Sequence, residues 1–192
     1  MTSLRFDPSK AVTFDLAHGL VHLTGAPSRV LVPAEALGAL AHAAGPEATA
    51  GFGRALGEVM GRRVAASLTA AEGIEAASTA TVVEHLGGEL ALAGLGSLGL
   101  ERWGKAMVLV MDHSPLAGTG DALLEATLAA AIAAASGRPV RALLLGRETV
   151  RARFLIGGEA ALARARAWLG EGVSWGEVLV RLHAPSTEGG EA

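Results

Sequence analysis

The sequence predicts a mixed α/β (α+β) chain in which an antiparallel sheet packs against helices, and three observations carry that reading. Apolar residues make up 51% and charged residues 18% of 192 positions, enough to bury one sizeable core and too apolar for a disordered chain. A strand pair is legible late in the chain: residues 140–145 are bounded by Pro139 and Gly146, and in 150–156 the apolar Val150, Ala152, Phe154 and Ile156 alternate with Arg151 and Arg153. Elsewhere, segments of helical period are punctuated by Gly and Pro. One domain over residues 1–184 is expected, with 185–192 (PSTEGGEA after the Ala184 boundary) as a mobile tail.

In chain order, residues 11–16 predict a strand, and a second extended stretch, 29–32, stops at Pro33. Gly25, Pro27 and Ser28 mark the turn between them. Residues 34–44 predict a helix ended by Gly45 and Pro46, and a second helix runs from Pro46 to about Arg62. In that second helix Gly53, Gly57 and Gly61 recur every fourth residue, and Gly45 and Thr49 extend the series backward. Such spacing makes one ridge along a helix, and each interior Gly costs about 1 kcal/mol relative to Ala. Three on one stripe therefore mark a surface that another backbone approaches closely, either within the chain or at a self-association interface. Phe52, Leu56 and Met60 run beside the ridge and are expected to point inward.

Residues 78–86 predict a helix stopped by Gly87 and Gly88. Two apolar runs, 89–95 and 107–111, predict strands with a loop or short helix between them. Ser114 and Pro115 break the second run, and a helix follows from about Gly120 to Ser136, closed by Gly137. After the strand pair, Gly157 and Gly158 turn the chain into a helix over 159–169. A last helix opens with Ser174 and Glu177 in capping-box spacing, and Leu179 and Leu182 supply its apolar face.

Composition narrows function. Cys is absent, which excludes disulfides, thiolate nucleophiles, zinc–thiolate sites and iron–sulfur clusters and fits a cytoplasmic location. Net charge is −3, and Lys occurs only at Lys10 and Lys105, so no concentrated basic surface for nucleic acid is expected. The N-terminus lacks the apolar core of a signal peptide, and the most apolar run, 122–135, is shorter than the ~20 residues of a membrane span.

The loudest motif is Gly94-Leu95-Gly96-Ser97-Leu98-Gly99, which matches the dinucleotide-binding fingerprint with Asp112 as the ribose ligand. The acid normally falls about 20 residues beyond the glycines, whereas Asp112 follows Gly99 by thirteen, too short for a crossover helix. Asp112, His113 and Ser114 hold the residue types of a hydrolase triad, but side chains adjacent in sequence do not converge on one point. His18 and His22 lie four apart without a following acid in the helical metal-ligand pattern, and no metal site is assigned. Glu72 and Glu75 are read as a solvated face.

The stretch from Leu90 to Ile156 has a recognisable order: glycine-interrupted strands, a strand ending in Asp112-His113-Ser114-Pro115, a small-residue helix ending in Gly137-Arg138-Pro139-Val140, and a hairpin ending in Ala152-Arg153-Phe154-Leu155-Ile156. This resembles the 4-vinyl reductase domain family, also described as a predicted hydrocarbon-binding domain and similar in fold to the small subunits of the TRAPP vesicle-tethering complex. The resemblance implies frequent dimerisation and an apolar cavity for a small molecule or acyl chain. The family's hairpin usually carries cysteines, where this chain has Thr149 and Arg153. That departure removes a thiol or metal role, and no residue here supports reduction chemistry.

The sequence therefore points to a non-catalytic cytoplasmic module, without cofactor, that acts by homodimerisation and protein-partner binding, with Gly53, Gly57 and Gly61 as the interface. The alternative is a carrier or sensor of an apolar small molecule held in an internal cavity lined by Phe52, Leu56, Met60, Trp103 and Phe154. A minor alternative is a nucleotide-dependent enzyme using the loop from Gly94 to Gly99.

Overall fold

A computed structural model describes residues 11–24, 29–71, 78–116, 118 and 120–183. The turn at 25–28, Glu72 and Glu75, and the tail 185–192 lie outside the described residues.

A small hairpin comes first, β1 (Val12–Asp15) against β2 (Leu20–Leu23), with Arg29 adding one bridge to Val21. The expected strand at 29–32 is no more than that bridge, because Pro33 has no amide to extend a ladder. Helix α1 (Ala34–Ala71) follows and holds both expected N-terminal helices, broken where Gly45 takes φ 81° and Pro46 lacks a donor. The buried Thr49 hydroxyl lies 2.9 Å from the Ala41 carbonyl and 2.7 Å from that of Gly45, so it satisfies carbonyl groups at the kink. The helix runs nine residues past Arg62 because Val64 and Leu68 continue its buried face.

Helix α2 (Thr79–Leu92) is capped by Ser78, whose hydroxyl accepts the Thr81 amide at 3.1 Å. It passes straight through Gly87 and Gly88 and occupies most of the segment expected to be a strand at 89–95. Val83, Leu86 and Leu90 share its buried face, and Gly87 faces β3, where a Cβ would make ordinary contact with Leu98, 3.4 Å from its carbonyl oxygen. Glu89, 6% exposed, receives the Arg63 guanidinium at 2.9 Å, and Arg63 also donates to the Thr24 carbonyl at 3.0 Å. One arginine thus ties α1, α2 and the hairpin end together.

The main sheet is antiparallel throughout: β3 (Ser97–Trp103), β4 (Ala106–Asp112), β5 (Arg141–Arg147) and β6 (Arg151–Gly157), in spatial order β3-β4-β6-β5. Helix α3 (Asp121–Ser136), closed by Gly137 at φ 68°, carries the chain from β4 to β5. Helices α4 (Glu159–Gly170) and α5 (Trp175–His183) complete the described chain. Ser174 caps α5 by accepting the Glu177 amide at 3.3 Å, while the Glu177 carboxylate pairs with Arg181 instead of closing the box.

Two hydrophobic clusters sandwich the sheet. Leu109, Met111, Phe154 and Ile156 meet α1, α2 and α3 on one face, and Val108, Leu143, Leu145 and Leu155 meet α4 and α5 on the other. The alternation over 150–156 predicts a half-buried strand; the observed strand starts at Arg151, and Val150, predicted on the inward face, is exposed. Ala152, Phe154 and Ile156 are buried as the alternation predicts, but Leu155 is 3% exposed on the opposite face, so both faces of the strand are covered.

Candidate functional site

The glycine ridge lies against α3 of the same chain. A Cβ at Gly53 would stand 2.5 Å from the Leu123 carbonyl oxygen, and at Gly57 and Gly61 it would overlap the Thr127 and Ala131 carbonyl oxygens. Ala126, Ala130 and Ala134 flank the same three steps, so α1 and α3 run side by side, matched turn for turn. The ridge is therefore occupied within one chain and is not the open surface that a self-association interface needs; this corrects its assignment as an interface.

The residues expected to line an internal cavity do not converge. Met60 and Phe154 are packed into the first cluster and Leu56 flanks it. Phe52 is 51% exposed. Trp103 sits on the other side of the sheet, its ring centroid 5.6 Å from that of Trp175 in an edge-on pair. Strand alternation separates them: Leu98 and Leu100 of β3 face the first cluster, which sends Trp103 to the opposite face from Phe154.

The Gly94 loop runs from helix to strand, the reverse of a dinucleotide site. It leaves α2 and enters β3, so it offers no helix N-terminus to a pyrophosphate. Its glycines have local reasons: Gly94 takes φ 71° just after α2, and a Cβ at Gly96 would stand 2.6 Å from the Asp112 carbonyl oxygen. Asp112 is held by Arg151, its cross-strand partner, through bonds of 2.7 and 3.1 Å. That hydrogen bond keeps the Asp112 carboxyl below its ordinary pKa, against the opposing effect of burial. Ser114 accepts the Leu116 amide at 3.4 Å, and His18 pairs with Asp15 at 2.9 Å. Among the described residues, no group of three or more His, Asp or Glu side chains is placed to hold a metal.

The concave feature lies elsewhere. A groove of about 820 Å³ runs along the outward face of α3, between α1 on one side and the start of β5 with α4 on the other. Its floor is alanine, including Ala122, Ala129 and Ala133, and Pro139 and Val140 close one stretch of wall. Its charged rim is Arg54, Glu58 and Arg62 from α1, Arg141 at the start of β5, and Glu159 and Arg166 on α4, with Glu125 rising from α3. The geometry follows from the ridge: seating Gly53, Gly57 and Gly61 on α3 sets the next residues, Arg54, Glu58 and Arg62, along the groove edge. Sequence reasoning missed this site, yet the signal was present in that one-residue offset.

Glu125 has a structural duty as well. Its Oε1 accepts the Leu144 amide at 2.5 Å, beside the irregularity in β5 pairing between Leu144 and Gly146. Burial raises the Glu125 pKa, while the Leu144 amide and Arg166 oppose the shift. A second, smaller concavity of about 330 Å³ lies between the first half of α1, at Glu35, Gly38 and His42, and Pro115 and Leu116. Among the described residues, no helix is long and apolar enough to cross a membrane.

No family model matches the chain, and no curated protein matches it. Among solved structures it is similar to the phenol-responsive sensory domain of the transcription activator PoxR, crystallised with phenol, at 15% identity and a TM-score of 0.58. The match covers 83% of this chain and 90% of that one. At that identity the likeness establishes a shared fold alone, an antiparallel sheet packed against helices.

Proposed function

We propose that this chain is a non-catalytic binding module that takes up a small, largely apolar molecule, as a sensor or carrier of the 4-vinyl reductase (hydrocarbon-binding) type. The observation that carries the reading is the groove of about 820 Å³ along α3, floored by alanine side chains and large enough for an organic ligand. The fold shared with a phenol-responsive domain supports it. Two carboxylates outside the groove are engaged in structure, Asp112 by Arg151 and Glu89 by Arg63. Native mass spectrometry of protein purified from its host is expected to show a bound small molecule. A bare polypeptide mass, together with no change in melting temperature on adding phenol or an alkyl amphiphile, would sink the reading.

A second reading, homodimerisation or partner binding, rests on the N-terminal region. Leu16 is 88%, Val30 83% and Leu31 71% exposed, three large apolar side chains left uncovered among the described residues. Light scattering would test it. The triple change Leu16→Ser, Val30→Ser and Leu31→Ser is expected to yield a smaller species, and an unchanged mass would remove this face from consideration.

A further inference from the structure

We infer that the α3 groove takes an amphiphile with one anionic head group, carboxylate or phosphate, seated between Arg54 and Arg166, with its apolar body along the alanine floor toward Pro139 and Val140. This rests on the ligand-binding reading above and gives it a chemical class and an orientation.

The argument begins with charge. Of the groove's ionisable side chains, Arg62 pairs with Glu58 and Arg141 with Glu159, each at 3.5 Å. Arg54 and Arg166, both exposed, make no hydrogen bond or ion pair among the described residues. Glu125, the remaining acid, already accepts the Leu144 amide. Once the pairs are set aside, two guanidinium groups face one occupied carboxylate, which leaves an excess of positive charge inside a concave, small-residue surface. Guanidinium groups bind carboxylates and phosphates in forked geometry more strongly than they bind neutral acceptors.

The excess charge is concentrated at one end. Gly53, the neighbour of Arg54, sits on Leu123 and Ala126, while Gly61, the neighbour of Arg62, sits on Ala131 and Ala134. Glu159, the first residue of α4, is paired with Arg141 beside Pro139 and Val140, and Arg166 lies about two turns further along that helix, away from that end and within electrostatic reach of Glu125. The far end holds Ala133, Ala134, Pro139 and Val140 between already paired charges. From Ala122 to Ala134 the floor runs about 18 Å, so the site is cationic at one end and accommodates a medium acyl or alkyl chain along the rest.

Three probes of equal chain length test this: decanoate, decyl phosphate and decanol, titrated into the full chain below their micelle concentrations and followed by amide NMR. Decanoate, decyl phosphate or both are expected to shift the amides of Ala129, Ala133 and Arg166, and decanol is expected to bind at least about tenfold more weakly. Binding by only one of the two anions would identify the head group. Arg54→Gln and Arg166→Gln are each expected to weaken the anionic probe about fivefold, with the fold intact because both side chains are exposed. Decanol binding as tightly as decanoate, or full affinity in the double variant, overturns the head-group assignment and leaves the ligand-binding reading standing. No shift in the groove with any of the three probes overturns both.

Discussion

The two sides of the sheet are held by opposite means. On one side, α1 meets α3 through Gly53, Gly57 and Gly61, and backbone touches backbone. On the other, α5 meets the sheet through its largest side chains. The Trp175 ring stands edge-on to Trp103 and beneath the Arg153 guanidinium, 4.8 Å from its carbon to the ring centroid. Arg153 in turn is bonded to Glu148 at 2.6 Å and to Glu101 at 3.4 Å. At the end of α5 the His183 Nε2 accepts the amides of Lys105 and Ala106 at 2.7 and 3.2 Å. A nitrogen that accepts two amides carries no proton, so Nδ1–H is the donor to the Leu179 carbonyl at 2.6 Å. The first contact derives from the absence of atoms and the second from their abundance. The first should therefore fail on any addition, and the second only on removal.

The largest expected effect follows from the first half of that contrast. Gly57→Ala would place a methyl group inside the Thr127 carbonyl oxygen and against Ala130 and Ala131. Neither helix can withdraw without opening the core around Met60, Val64 and Leu128. We expect a loss of about 3 kcal/mol or more in urea unfolding, at the upper end for overpacking. A variant as stable as the parent would mean that α1 and α3 are not in contact in solution.

Trp175→Ala sharpens the comparison from the other side. It removes the edge-on pair and the ring beneath Arg153 but leaves room into which neighbours can relax. We expect a loss of about 2 kcal/mol, with a change in Trp103 fluorescence as that ring loses its partner. A change below about 0.5 kcal/mol would show that this side is held by the buried Val178 and Leu179 alone.

Much of this architecture was legible in the sequence, and the failures are specific. The hairpin β5–β6, α3 and α4 were read to within two residues, helped by Gly137, Pro139, Gly157 and Gly158 at or beside their ends, although Gly146, read as the end of β5, lies within it. The glycine period on α1 was seen, and a tight contact within the chain was one of its two readings. Periodicity names a face but not what meets it. The segment 89–95 was misread as a strand because Gly87 and Gly88 look like a stop. In the structure they sit within α2, whose buried face continues past them through Glu89 and Leu90. The cavity lining failed for a related reason: Trp103 and Phe154 were grouped by size, and strand alternation puts them on opposite faces. The groove went unread because its alanine floor gives no signal of its own, and the offset of Arg54, Glu58 and Arg62 from the ridge glycines marks an edge only once the helix beneath the ridge is known.

The smallest effect concerns Glu125, which links α3 to the sheet edge and lies between the two regimes. Its carboxyl is buried enough to raise its pKa above the ordinary value of 4.5, even though it accepts the Leu144 amide. As pH rises past 4.5 the unfolded chain loses this proton before the folded chain does, so ionisation favours unfolding until the folded group also titrates. Asp112 has the opposite sign: with its pKa held below 3.8 by Arg151, its contribution is complete above 3.8 and fades only as pH falls further. The two windows do not overlap. Glu125→Gln keeps an oxygen for the Leu144 amide and removes the titration. Measured by urea unfolding between pH 4 and pH 8, the stability difference, variant minus parent, should move in favour of the variant as pH rises and then level off. A difference that stays flat across that range would mean that Glu125 is solvated, and that the β5 edge is not closed by a buried carboxyl.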